Sequence, residues 1–161
     1  MTKLILHTKI NAPIERCFLL SLSVDLHKIS TSQTNEKVIA GVSTGLVKLN
    51  DVITWEGRHL GVTQKFTSKI VAMKQPTYFA DEMQKGAFKN FYHQHFFKED
   101  GGVCIMTDEL EMEAPLGILG KIAMALVVRP HIEKFLVQRN QIIKQVAESE
   151  EWKKYLKPDT L

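Results

Sequence analysis

The feature that most constrains this chain is a change in the spacing of its apolar residues. From Glu36 to Ala114, apolar and polar residues alternate with a period of two, which is typical of half-buried β-strands. After Pro115 the apolar residues recur at helical spacing as far as Val146. The sequence therefore predicts a block of strands followed by a long helical segment.

Turn-forming residues divide the alternating block into six strands. Glycine or proline stands at positions 41, 45, 61, 76, 86, 101 and 102, between the alternating segments. The segments are closely spaced and leave no room for crossover helices, which favours an antiparallel meander. The predicted strands span residues 37–40, 51–60, 62–74, 77–85, 90–98 and 103–114.

The N-terminal part is predicted to add one strand and two short helices. Residues 3–10 alternate like a strand, and Pro13 suits the first turn of a helix over residues 14–21. A second helical turn is predicted over residues 23–32, with Asp25 near its start.

The C-terminal segment is predicted to be helical with two apolar stripes, both packed in the core. The stripes consist of Leu116, Leu119, Ala123 and Leu126, and of Ile132, Phe135, Leu136, Ile143 and Val146. Pro130 lies between them and is expected to break or kink the helix. The charged residues 150–161 are expected to fray.

Together these elements predict an α+β fold in one domain over residues 1–161. A meander must cover its apolar face, and the final helix is the only predicted element long enough to do so. A curved sheet of about seven strands around one helix encloses a cavity unless large side chains fill it. At 161 residues the chain is long enough for one core of this kind.

Composition excludes several classes of function. The net charge is only +3, and basic residues are mixed with acidic ones, unlike the basic stripe of a nucleic-acid-binding protein. No apolar run is as long as a transmembrane helix needs, and Cys17 and Cys104 have no CxxC spacing. The short apolar segment at residues 4–6 is not expected to act as a secretory signal. We therefore expect a cytoplasmic protein with reduced thiols and no nucleic-acid partner or integral membrane segment. The sequence allows a homodimer without requiring one.

Two histidines lie two residues apart in the segment NFYHQHFFK. In a strand, Phe91, His93, His95 and Phe97 point to one face. Two imidazoles on an apolar face suit a metal site, proton transfer or the wall of a pocket.

A metal site is the least favoured of these three uses. His59 or Asp108 could supply a third ligand to the histidine pair, but spacings such as HExxH are missing from the sequence. We expect neither a metal nor another cofactor.

Asp108 is the one charged residue on the apolar face of the last predicted strand, next to Met106. A loop through residues 99–102 places Asp108 opposite His93, whereas a tighter Gly-Gly turn places it opposite His95. Both registers put these residues on the same interior face. A buried carboxylate needs a partner, and either imidazole supplies one.

Four further residues are candidates for the interior. Trp55 and His59 share a face of their strand, and Asp81 shares the parity of Phe79. Arg139 lies on the second apolar stripe of the helix. It either extends to the edge of the helix, binds an acidic group of a ligand, or pairs with one of the two aspartates.

The order of elements and several motifs resemble the helix-grip fold of the START/Bet v 1-like (SRPBCC) superfamily. The motifs are INAPIERCF, VITWEGRHLG, YFADEMQKGAFKNF, HQHFF and DELEMEAPLGILG. The last four resemble a bacterial branch labelled as cell-division-inhibitor-like ligand-binding proteins. The superfamily includes lipid carriers, hormone receptors, polyketide cyclases and Hsp90-ATPase activators. The resemblance therefore implies a fold but no single function.

From the residues and the resemblance together, we expect non-catalytic binding or carriage of a small hydrophobic molecule with a polar head group. The predicted contact residues are Trp55, His59, Asp81, Phe91, His93, His95, Phe97, Met106, Asp108 and Arg139. Two alternatives remain. One is a polyketide cyclase- or dehydratase-like enzyme in which His93 and Asp108 move protons. The other is a regulatory protein that acts through a protein partner.

Overall fold

The computed structural model describes residues 1–157, and its elements follow the predicted order. The strands are β1 (Thr2–Ile10), β2 (Lys37–Gly41), β3 (Val52–His59), β4 (Val62–Lys74), β5 (Tyr78–Lys85), β6 (Asn90–Asp100) and β7 (Val103–Glu113). They form one antiparallel sheet in the order β1-β7-β6-β5-β4-β3-β2. The predicted meander is confirmed, and β1 pairs with its β7 edge.

One group of helices lies between β1 and β2 in the chain, and a second group follows β7. The helical elements are α1 (Ile14–Ser21), α2 (Val24–Ser30), a 3-10 turn (Ser32–Thr34), α3 (Gly117–Ala123), a π-helical turn (Met124–Val128), α4 (Arg129–Glu148) and a 3-10 helix (Glu150–Lys154). Helix α4 packs against β1, α1 and α2. The predicted helix-grip arrangement is confirmed. None of the helices in residues 1–157 combines the length and the apolar composition needed to cross a bilayer.

The sequence predicts a break or a kink at Pro130, and the break does not occur, whereas a kink stays a prediction. Pro130 is the second residue of α4. The preceding residues Met124–Val128 form the π-helical turn, and Val128 and Arg129 keep helical backbone angles. A proline ring clashes with the carbonyl four residues before it, and a wider turn at that point relieves the clash.

The two apolar stripes of the C-terminal segment differ in burial. The second stripe is buried at Leu136, Ile143 and Val146, as expected. Three residues of the first stripe are instead mostly exposed: Leu116 (82%), Leu119 (76%) and Leu126 (73%). The prediction of core packing is therefore wrong for this stripe. The buried residues of this segment are instead Gly120 and Met124.

The end of the described chain is packed rather than frayed. Leu156 is buried, and the guanidinium of Arg16 lies 4.4 Å from the centre of the Trp152 ring. The predicted fraying is therefore wrong for residues 150–157. The same prediction for residues 158–161 lies outside the described residues.

Helix α1 fills one end of the concave face of the sheet. Phe18 on this helix contacts Phe79 and Phe97 edge to face, with ring centres 5.8 and 5.4 Å apart. Further along the concave face, between β3–β6 and the C-terminal helix, a cavity of about 390 Å³ remains. The helix-grip arrangement thus places an internal space where the sequence predicts one.

Candidate functional site

The cavity wall is mostly apolar. The larger apolar side chains that line it are Trp55, Phe66, Phe79, Phe91, Phe135 and Leu136. Its volume of about 390 Å³ lies within the range of roughly 300–1,000 Å³ that small-molecule pockets occupy. From α4 the wall receives His131, Phe135 and Arg139, which share one face because they lie four residues apart.

A tight turn between β6 and β7 sets which groups meet at this wall. Gly101 and Gly102 both have positive φ angles, of 59° and 80°, which suits a two-residue hairpin turn. His95 consequently lies opposite Asp108. Of the two registers that the sequence allows, the Gly-Gly turn is the one that forms.

Six buried or nearly buried polar side chains meet at one end of the cavity, and we call them the inner cluster. They are Asp81, His93, His95, Asp108, Arg139 and Asn140.

Asp108 is at the centre of the inner cluster and is 1% exposed. Its Oδ1 lies 3.1 Å from His93 Nε2 and 2.8 Å from His95 Nδ1. Its Oδ2 accepts a hydrogen bond of 2.6 Å from Asn140 Nδ2. Because donors surround both oxygens, this carboxylate can remain charged inside the protein.

Two more charged groups flank Asp108. Arg139 Nη1 lies 3.7 Å from Asp108 Oδ1 and donates to Asn140 Oδ1. The arginine is therefore a partner of Asp108 and does not extend to the helix edge. Asp81 Oδ1 lies 3.3 Å from His95 Nε2 and 4.0 Å from His93 Nδ1.

The buried charges determine the protonation of this cluster. Burial disfavours the charged forms of Asp81 and Asp108, but hydrogen bonds from adjacent imidazoles lower the pKa of both carboxyl groups. Burial also opposes protonation of His95, yet these two carboxylates raise its pKa. Burial and the neighbouring His95 lower the pKa of His93. These shifts favour the charged forms of Asp81, Asp108 and His95 and the neutral form of His93.

A second polar group lines the cavity, and we call it the histidine chain: His27, Glu36, His59 and His131. Glu36 Oε2 lies 2.8 Å from His27 Nε2, and its Oε1 lies 3.1 Å from His59 Nε2. His59 Nδ1 is in turn 3.1 Å from His131 Nε2. His131 and Arg139 are eight helical residues apart, or about 12 Å along the helix axis. The apolar middle of the cavity therefore lies between two polar groups.

The imidazoles of the histidine chain are less buried than those of the inner cluster. The side chain of Glu36 is 10% exposed and that of His27 is 26% exposed. Burial opposes the charge of Glu36, but hydrogen bonds from His27 and His59 lower its pKa to about 2. Burial and the nearby His59 also lower the pKa of His131. The group thus contains a carboxylate held between imidazoles, with water within reach.

The structure places most of the predicted contact residues on the cavity wall: Trp55, His59, Asp81, Phe91, His93, His95 and Arg139. The other three predicted residues, Phe97, Met106 and Asp108, do not line this wall. Phe97 packs against Phe18, and Met106 lies 3.6 Å from Ser21, because α1 covers that part of the sheet. Asp108 lies behind the imidazoles of His93 and His95. Contact between a ligand and any of the ten predicted residues stays a prediction.

The sequence reasoning missed four of the polar residues: His27, Glu36, His131 and Asn140. Two of them carried a usable signal, because His131 and Asn140 lie four residues from Phe135 and Leu136 on the buried stripe of α4. The other two are His27, in α2, and Glu36, in the loop before β2. Glu36 connects His27 to the distant His59, and nothing local in the sequence indicates these contacts.

No family model and no curated protein matches this chain. Solved structures match its fold over most of its length. Protein TTHA0849 from Thermus thermophilus is 16% identical, with a TM-score of 0.72 over 92% of this chain and 100% of its own. Major latex-like protein 151 from Panax ginseng is also 16% identical, with a TM-score of 0.69 over 92% and 98% of the two chains. A START superfamily protein from Mycobacterium smegmatis is 11% identical, with a TM-score of 0.69 over 91% and 97%.

Identities of this size show a shared fold alone. The chain has the helix-grip fold of Bet v 1-like and START structures, as the resemblance implied. Its relation to the cell-division-inhibitor-like branch stays a prediction.

Proposed function

We propose that this helix-grip chain binds or carries a small, mostly apolar molecule with one oxygen-bearing polar end, and does so without catalysis. The observation that carries the proposal is an apolar cavity with a buried guanidinium at one end. Burial of apolar surface would supply the binding free energy, at about 25 cal/mol per Å². The polar groups would fix the orientation of the molecule.

Arg139 supports an inward polar end. Within residues 1–157 its Nη1 donates to Asn140, while Nε and Nη2 have no hydrogen-bond partner, and the residue lines the cavity. A carboxylate or carbonyl oxygen would accept hydrogen bonds from these donors. The apolar part of the molecule would then lie against Trp55, Phe91 and Phe135.

The first experiment identifies what the protein carries. Native mass spectrometry of the purified chain, followed by organic extraction, would reveal a co-purified molecule as an added mass. We expect an amphiphilic compound with an apolar body and an oxygen acceptor at one end.

The second experiment separates the apolar and polar contributions with two fluorescent probes that share one ring system. 1-Anilinonaphthalene-8-sulfonate carries an anionic group, and N-phenyl-1-naphthylamine does not. We expect both to bind the cavity. Arg139→Lys keeps the charge but removes the planar fork, and should weaken the sulfonate about 10-fold or more while leaving the neutral probe unchanged.

Two further variants control this result. Ser68→Phe adds a side chain to the cavity wall and should weaken both probes, because Ser68 lines the cavity. Arg58→Lys, at an exposed position of β3, should change neither. If Ser68→Phe leaves the binding of both probes unchanged, the probes bind outside the cavity, and the proposal is contradicted.

A proton-transfer enzyme acting on a polyketide-like substrate is the second candidate. The bond between His93 Nε2 and Asp108 favours it, because a carboxylate can orient an imidazole as a general base. In that case His93→Gln would abolish turnover while substrate still binds. Loss of ligand affinity with no turnover ever detected in the unmodified protein would favour carriage.

A further inference from the structure

We propose that Asp81, His93 and His95 bind one divalent transition-metal ion at the inner end of the cavity. Each residue offers one ligand atom, and the three atoms all lie within 4.8 Å of one another. The sequence predicts no metal here because spacings such as HExxH are missing, and the third ligand that it offers is His59 or Asp108 rather than Asp81. Pairing between β5 and β6 places Asp81 directly opposite His93.

The distances are close to those of a bound ion. Asp81 Oδ1 lies 3.3 Å from His95 Nε2 and 4.0 Å from His93 Nδ1. Two ligand atoms that share an ion at about 2.0–2.2 Å lie about 3–3.5 Å apart. Small side-chain rotations would therefore bring the three atoms to bonding distance, without movement of the strands.

The surroundings of the two histidines resemble the outer shell of a metal site. Asp108 Oδ1 lies 3.1 Å from His93 Nε2 and 2.8 Å from His95 Nδ1. These are the nitrogens that would not bind the ion, although His95 Nδ1 is not aligned for a hydrogen bond. Metal-binding imidazoles commonly place their other nitrogen on a carboxylate, which fixes the ring. Asn140 holds Asp108 in turn through a hydrogen bond of 2.6 Å.

Asp81 is the carboxylate of the site that is free to face a cation, because Asp108 is paired with Arg139. Asp81 supplies one negative charge to the ion. The second carboxylate, Asp108, is offset by Arg139, whose Nη1 lies 3.7 Å away. Because Asp108 and Arg139 offset each other, the arginine adds no net positive charge to the site before the ion binds. Two neutral imidazoles and one carboxylate are ligands that Zn²⁺, Co²⁺ and Fe²⁺ accept.

The three ligands would leave part of the ion open to the cavity. Asp81, His93 and His95 all line the cavity, whereas Asp108 lies behind them. Two histidines and one carboxylate on one side of an ion leave the opposite positions free. Water, or an oxygen atom of a molecule in the cavity, would occupy them.

The competing explanation is a purely structural ion cluster, in which a protonated His95 holds the two carboxylates together. The experiment must therefore detect the ion itself. The full-length protein is stripped with EDTA and titrated with Co²⁺ and, separately, with Zn²⁺. Calorimetry gives the stoichiometry, and the visible absorption of Co²⁺ reports its ligands. We expect one ion per chain.

Variants assign the ion to these residues. Asp81→Asn and His95→Gln should each weaken Co²⁺ binding at least about 10-fold and change its absorption spectrum. His59→Gln is the matched control, because His59 lines the same cavity but belongs to the histidine chain. It should bind Co²⁺ like the unmodified protein. Circular dichroism of the stripped proteins checks that each variant is folded.

Several results would overturn the proposal. One is the absence of stoichiometric binding at millimolar Co²⁺. Another is unchanged affinity in Asp81→Asn, which decides the question even if His95→Gln fails to fold, because the Asp81 side chain is 18% exposed and faces the cavity. If only His59→Gln loses Co²⁺ binding, the ion binds to the histidine chain and not to the inner cluster. Probe binding by the stripped protein is measured separately, so that failure of the metal site and failure of the ligand cavity are distinguishable.

Discussion

The inner cluster and the histidine chain use the same types of residue but differ in assembly and burial. The histidines and aspartates of the inner cluster come from the adjacent strands β5, β6 and β7, with Arg139 and Asn140 from α4. The histidine chain joins α2, residue 36 before β2, the end of β3 and the start of α4. His95 is 2% exposed, whereas the side chain of His59 is 19% exposed.

This difference has an energetic consequence. In the inner cluster, removal of one charged group leaves its partners without water or a counter-charge, which is the most expensive situation for a buried ion. In the histidine chain, water can approach and replace a lost hydrogen bond. We therefore expect hydrogen bonds of similar length to contribute more to the free energy of unfolding in the inner cluster than in the histidine chain.

The largest expected effect comes from Asp108→Asn. We expect it to lower the free energy of unfolding by about 3–5 kcal/mol, because the buried Arg139 loses its counter-charge and His93 loses the carboxylate that it contacts. Urea unfolding of EDTA-treated protein at pH 7, followed by circular dichroism, measures the change. Glu111→Gln, on the outward side of the same strand, is the control and should stay within about 0.5 kcal/mol. A loss below 1 kcal/mol in Asp108→Asn, on the order of a surface pair, would remove the contrast between the two regions.

Glu36→Gln tests the histidine chain and should have a smaller effect. The pKa of Glu36 is lowered from 4.5 to about 2, so its ionised form stabilises the folded state at pH 7 by at most about 3 kcal/mol. A carboxyl group with a lowered folded-state pKa loses this contribution as the pH falls from 4.5 towards 2. The stability difference between the unmodified protein and the variant should therefore shrink over that pH range. A difference that stays constant from pH 7 to pH 2 would show that Glu36 acts without its charge.

His131→Gln should have the smallest effect at pH 7, about 1 kcal/mol or less, because one hydrogen bond to His59 is lost. Burial and His59 lower the pKa of His131, so protonation disfavours the folded state. The unmodified protein should therefore lose stability relative to this variant as the pH falls below about 6.5. Thermal unfolding at pH 7.5 and pH 5 checks the direction. The opposite sign would mean that a nearby carboxylate holds the imidazole in its charged form.

Much of the fold was predictable because the deciding signals are local. The bounds of α1 and β4 agree with the predicted residues 14–21 and 62–74, since Pro13 begins the helix and Gly61 precedes the strand. The sequence left two registers open between β6 and β7, with Asp108 opposite either His93 or His95. Two consecutive glycines permit the tight turn, but packing of the sheet decides between the registers.

The C-terminal segment shows where local signals stop. Residues 116–126 and 132–146 both carry apolar residues at helical spacing, yet only the second stripe is buried. Periodicity describes one face of a helix and contains no information about what covers that face. The residues of this segment that are buried are Gly120 and Met124, and neither belongs to the apolar stripe.

The sequence by itself determined which residues point inward, because side-chain direction along a strand follows from odd or even position alone. His93, His95 and Asp108 were assigned to one face on that ground. Only the tertiary structure decided that α1 covers Phe97 and Met106, and that Glu36 meets two histidines. The physical reason is that a strand's alternation is local, whereas filling a concave surface depends on elements far apart in the chain.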